Sequence, residues 1–156
     1  MKLIFKQRIF SFFDSYDIYD DLGNTIFKVK GRFSFGKHFD IYDSSERLIG
    51  YLKSEIFTFR PKFKAYANDK FIGCITKELT FFRPKFTIDL NDWQVEGDFR
   101  EWDYHIEDAL GNYVATASKD LFKFADTYII EIPNSENALA VLMIVLAIDA
   151  EKDQRN

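Results

Sequence analysis

Apolar and polar residues alternate along most of this chain. Phe86, Ile88 and Leu90 interleave with Lys85, Thr87 and Asp89. Trp93, Val95 and Phe99 share a side with Gly97, while Gln94, Glu96 and Asp98 take the other. Tyr104 and Ile106 oppose Asp103, His105 and Glu107. A period of two gives a strand one dry and one wet face, as in an antiparallel sheet. Similar segments, separated by Asp, Asn and Gly turn signals, give about a dozen strands in an all-β meander.

The meander is built from repeats. Glu55-Ile-Phe-Thr-Phe-Arg-Pro-Lys-Phe63 returns 23 residues later as Glu78-Leu-Thr-Phe-Phe-Arg-Pro-Lys-Phe86. Between the copies, Asn68-Asp69 reads as a hairpin turn. A looser unit recurs in Asp17-Ile-Tyr-Asp, Asp40-Ile-Tyr-Asp and His105-Ile-Glu-Asp, each followed by a polar turn and a second strand. Proline has no N–H to give to a ladder, so Pro61 and Pro84 are expected at corners where one hairpin feeds the next.

After Pro133 the pattern changes. Asn134-Ser-Glu-Asn137 is a helix start, with a capping side chain and an acid in the first turn. Ala138 to Ile148 follows, 11 residues with no polar stripe. A helix apolar on every side must be buried on every side. Twelve strands spaced about 4.8 Å apart and tilted about 40° close at a radius of roughly 12 Å, wide enough to seat a helix and its side chains. An eight-stranded barrel is filled by its own side chains. The predicted fold is therefore a closed antiparallel β-barrel of about twelve strands around a central apolar C-terminal helix. Residues 1–150 form one domain and 151–156 a polar tail.

Composition changes this picture little. The chain has 156 residues, 47% of them hydrophobic and 18% aromatic, with 18 Phe. That supports a sizeable core and favours strands. The net charge of −4 argues against nucleic acid as a partner. The single cysteine, Cys74, excludes an internal disulfide and makes a Cys-based zinc site untenable. The charge-broken start, Met1-Lys-Leu-Ile-Phe-Lys6, does not read as a signal peptide. The longest apolar run falls short of the roughly 20 residues of a membrane span. A cytoplasmic location, with peripheral membrane contact open to it, is expected.

The Asp-Ile-Tyr-Asp hairpins, the Phe-rich strands and the terminal apolar helix resemble the LURP-one-related family, itself similar to the tubby C-terminal domain and the phospholipid scramblases. The resemblance spans about Met1 to Ala150 and implies a twelve-stranded barrel around a central hydrophobic helix. Tubby domains bind phosphoinositide head groups through basic residues on the barrel. Scramblase relatives carry a cysteine-rich segment and an acidic calcium segment. This chain, with its one cysteine and no matching acidic motif, departs from that pattern.

Candidate chemistry centres on cations. Lys28 and Lys30 alternate with Phe27 and Val29 on one strand, and Arg32, Lys37 and His38 follow around Gly31 and Gly36. Arg60, Lys62 and Lys64 are echoed by Arg83 and Lys85 in the repeat. Gathered on one rim, Lys28, Lys30, Arg32, Lys37, Arg60, Lys62, Arg83 and Lys85 would bind an anionic lipid head group. The same residues also read as a solvated face with lysine-protected strands. Asp14, Asp17, Asp20 and Asp21 lack the spacing of a calcium loop and read as turn chemistry, so no metal site is predicted. Cys74 reads as a buried, inert thiol.

No nucleophile elbow, phosphate-binding glycine loop or His-Glu-x-x-His is present. The expected class is a non-enzymatic binding or scaffold module, without cofactor, for anionic lipid head groups or a protein partner. The alternatives are an enzyme using His105 with nearby carboxylates as acid and base, or a purely structural, stress-associated protein.

Overall fold

A computed structural model describes residues 1–6, 15–78, 85–89, 91–122 and 127–153. The strands are β1 (Lys2–Phe5), β2 (Ser15–Tyr19), β3 (Thr25–Ser34), β4 (Gly36–Asp43), β5 (Leu48–Ser54) and β6 (Lys62–Ala67). They continue with β7 (Lys70–Glu78), β8 (Lys85–Ile88), β9 (Trp93–Asp98), β10 (Asp103–Glu107), β11 (Tyr113–Asp120) and β12 (Thr127–Glu131). Each pairs antiparallel with the next, and β1 pairs with β12, so twelve strands close into one barrel without edges. A 3₁₀ turn, Ser135–Asn137, leads into α1 (Ala138–Asp153). Asn134 caps it as expected, its side chain accepting from the Glu136 N–H.

The helix occupies the interior. Every residue from Val141 to Glu151 is buried, and the apolar ones form one cluster with inward side chains of the wall such as Leu3, Ile41, Leu52, Ile106 and Ile130. Helix and wall meet closely at Gly50, where an added Cβ would lie 2.6 Å from Met143 Cε and 2.8 Å from the Tyr66 carbonyl oxygen. Any larger residue there would have to displace the Met143 methyl and press on the β6 backbone at Tyr66. Among the described residues, an apolar cavity between β6–β8 and α1, lined in part by Ala65, Ile75 and Met143, measures only about 10 Å³. That is room for one water at most. Among the described residues, no helix is long and apolar enough to cross a membrane.

The helix does not stop at Ala150. It runs on to Asp153, and Glu151, assigned by the sequence to a polar tail, is buried. The reason is an acceptor-donor match inside the barrel: the Lys77 ammonium lies 3.3 Å from Glu151 Oε1. Lys37 is buried beside it and donates to the Ala150 carbonyl, where the helix dipole is negative.

The Asp turns cap the opposite end. Asp20, Asp43 and Asp108 each accept two backbone N–H groups, from Leu22 and Asn24, Ser45 and Arg47, and Leu110 and Asn112. These hydrogen bonds, with the Asn24, Arg47 and Asn112 side chains, hold all three carboxyls below the usual range. The fourth turn residue has positive φ: Gly23 (86°), Glu46 (61°) and Gly111 (81°). Only Glu46 carries a side chain there, a strained choice. Glu46→Gly is therefore expected to stabilise the fold by about 0.5 kcal/mol, even after loss of its exposed contact with Lys28. A rise in the urea midpoint at constant slope checks this.

Candidate functional site

Hairpins alternate between two rims. One carries the three Asp turns and the helix N-terminus. The other carries the β3–β4 and β5–β6 connections and the helix C-terminus, marked by the Lys37 and Lys77 contacts to Ala150 and Glu151. At this second rim Phe35, Phe57 and Phe59 are 88%, 95% and 91% exposed, and Ile56 is half exposed. The two connections touch: a Cβ on Gly36 would lie 2.8 Å from Ile56 Cγ2. Across the rim, Leu121 and Phe122 also stand in water.

Below the Phe loops runs a row of bases. Register places Arg32 opposite His38, His38 opposite Lys53, and Lys53 opposite Lys64, across β3 to β6. Adjacent strands lie about 4.8 Å apart, so the row is a continuous stripe on the outer wall. Lys62 stands two residues nearer the rim on β6, and Arg60 in the connection itself. Counter-charges temper the stripe. Buried Asp40 accepts from Arg32 Nε at 2.9 Å and pairs with His38 Nε2 at 3.0 Å. Glu55 pairs with Lys64 at 2.5 Å, and Arg60 with Glu78 at 2.5 Å. The Lys64 ammonium hydrogen-bonded to Glu55 holds that carboxyl below its usual range, helped by Lys62 and Lys53, and Glu55 in turn raises Lys64.

The sequence-predicted cations therefore divide. Arg32, Arg60 and Lys62 come together beside the Phe loops. Lys37 belongs to the same rim but points into the barrel, 6% exposed, because it shares the inward parity of Phe39 and Ile41. Lys28 reaches toward the other rim and pairs with Glu46, and Lys30 lies over the Tyr42 ring at 4.9 Å. Lys85 pairs with Glu96 at 3.5 Å. Arg83 and Asp14 lie outside the described residues. Lys53, Phe35, Ile56, Phe57 and Phe59 were not singled out from sequence; their signal was a Phe-x-Phe pair in a connection closed by Pro61.

A helix wholly enclosed by twelve antiparallel strands is the architecture the family resemblance implied, and the family profile described as LURP-one-related matches residues 1–149. The chain belongs to the LURP-one-related family. It is 30% identical over 150 residues to the uncharacterized protein YxjI of Bacillus subtilis (strain 168), covering 96% of this chain and 92% of that one. The X-ray structure of a protein from Arabidopsis thaliana shares the fold at a TM-score of 0.64 and 16% identity, over 96% of this chain and 90% of that one.

Two further residues of this LURP-one-related chain, Cys74 and His105, lie away from the Phe loops. Cys74 is buried on β7, opposite Lys64, and its backbone N–H donates to Asp89 Oδ1 at 2.7 Å. Burial, with the Asp89 charge, pushes its thiol up, which disfavours a reactive thiolate. His105 faces outward on β10, its Nε2 3.4 Å from Glu107 Oε2 and its ring against Tyr113.

Proposed function

We propose that this protein is a binding module that docks on anionic phospholipid surfaces through the Phe35 and Phe57–Phe59 loops and the bases beneath them. One observation carries the reading: large apolar side chains stand almost fully in water on two touching loops, directly above a stripe of cations. A helix and wall that fill the interior leave the outer surface as the place to bind. Isolated protruding rings suit insertion among lipid acyl chains, where one fully buried Phe contributes about 1.5–3 kcal/mol. Each nearby base adds about 1 kcal/mol on an anionic leaflet. Neither signal suffices alone, and together they make a reversible peripheral anchor.

Co-sedimentation with phosphatidylserine or phosphoinositide vesicles tests this. Binding is expected to exceed that to neutral phosphatidylcholine vesicles and to weaken with salt. Phe57→Ser with Phe59→Ser is expected to lower vesicle affinity at least tenfold, about 1.4 kcal/mol. Neutralising Lys53, Arg60 and Lys62 together should do the same. Equal sedimentation of parent and variants would remove the proposal.

A further inference from the structure

A second cluster lies on the outer wall of β9 and β10. Glu96 stands directly opposite His105, and Glu107 lies two residues further along the same face of β10. The three offer an imidazole nitrogen and two carboxylate oxygens, all within 4.8 Å of one another. No loop is needed to bring them together; the register of two paired strands does it. We infer that Glu96, His105 and Glu107 form a binding site for a divalent transition ion of the zinc class.

The geometry is close to what such an ion requires. Bonds of about 2.1 Å in a tetrahedral site space the ligand atoms about 3.4 Å apart. His105 Nε2 and Glu107 Oε2 already lie at 3.4 Å. Glu107 is held for this role: Gln94 Nε2 donates to its Oε1 at 2.6 Å, leaving Oε2 turned to the histidine. Partners of this kind orient ligands and fix their basicity. The His105 ring rests on Tyr113 with centroids 4.8 Å apart, which limits its rotation. Glu96 is half exposed and needs only a side-chain movement to close the set. Its present partner is Lys85, at 3.5 Å, a cation that an incoming ion must displace.

The donor set selects the ion. One imidazole beside two carboxylates favours zinc or cobalt over calcium, magnesium and manganese, which prefer oxygen ligands. Three protein ligands leave the fourth position to water.

Titrating the full chain with Co²⁺, followed by visible absorption, and with Zn²⁺, followed by calorimetry, tests the site. One ion per chain is expected, with the intense visible bands of a low-coordinate cobalt site. His105→Ala and Glu96→Gln should each weaken binding at least tenfold. Gln94→Leu should weaken it by about 10-fold through Glu107, while Lys85→Met should tighten it. Far-UV circular dichroism identifies any variant that fails to fold, and Glu96→Gln, on an exposed side chain, keeps the test decisive. Absence of saturable binding, or one-to-one binding indifferent to both His105→Ala and Glu96→Gln, overturns the inference.

Discussion

Leu146→Ala is expected to lower the unfolding free energy by about 3–5 kcal/mol, at the upper end of the range for leucine truncation. Leu146 is fully buried near the middle of α1, packed on every side by the wall. Truncation removes the transfer free energy of the lost carbons and leaves a void. How much of the void persists depends on how far the neighbours can move. Here the neighbours belong to a ring of twelve strands in which every strand is hydrogen-bonded on both sides. Such a ring cannot collapse locally without breaking ladder bonds, so relaxation is small. Leu110→Ala, on a turn where the side chain is exposed, serves as the control and should change stability by less than about 0.5 kcal/mol. Chemical denaturation with both variants checks the contrast. A loss below about 1 kcal/mol at Leu146 is incompatible with an enclosed helix.

Lys77→Met should cost about as much, roughly 3–5 kcal/mol, for an electrostatic reason. The Lys77 and Glu151 side chains are only 10% and 7% exposed, and their charged atoms lie 3.3 Å apart. Glu151 Oε2 is buried with no hydrogen-bond partner. Removing the ammonium strands a carboxylate in a dry interior. Replacing both, Lys77→Met with Glu151→Leu, should recover most of the loss, because the desolvation cost of the pair disappears with it. The double-mutant cycle therefore predicts a coupling of at least about 2 kcal/mol. Additivity within about 0.5 kcal/mol would show that the pair is not enclosed as described.

The arrangement gives the helix a polar stop. Lys37 meets the Ala150 carbonyl in the last turn and Lys77 meets Glu151, so charges cap the one end of the core where the Phe loops stand. Nearby, burial and the charge of Asp149 push the Tyr104 hydroxyl well up, so it stays protonated.

Much of this fold was legible in the sequence because its strongest signal is not local. Ala138 to Ile148 has no polar face, and in a hairpin-rich chain of this size only a wide barrel can enclose it. The Asp20, Asp43 and Asp108 turns were legible too, since Asx chemistry depends on a few adjacent residues. Lys37 and Lys77 were harder. Proximity along the chain grouped Lys37 with Arg32 and His38, yet parity with Phe39 and Ile41 puts it inside. The inward turn is tolerable only because a helix C-terminus waits there, and that is a tertiary fact. The Phe-rich repeat carries a weaker local signal. Phe57 and Phe59 have strand composition, but they stand in the β5–β6 connection, and only Phe63 of that block enters the core. The stripe from Arg32 to Lys64 and the Glu96–His105 pairing both depend on register across strands, which no single segment encodes.

The proposed surface docking rests on enclosure of the helix, and native-state hydrogen exchange tests that enclosure most directly. Amides of Leu142 to Ala147 should exchange only through global unfolding, with the same free energy as the slowest amides of β4 and β11. Exchange of these helix amides orders of magnitude faster than the strands, at denaturant concentrations where the barrel stays folded, would show a helix that leaves its wall and contradict the account.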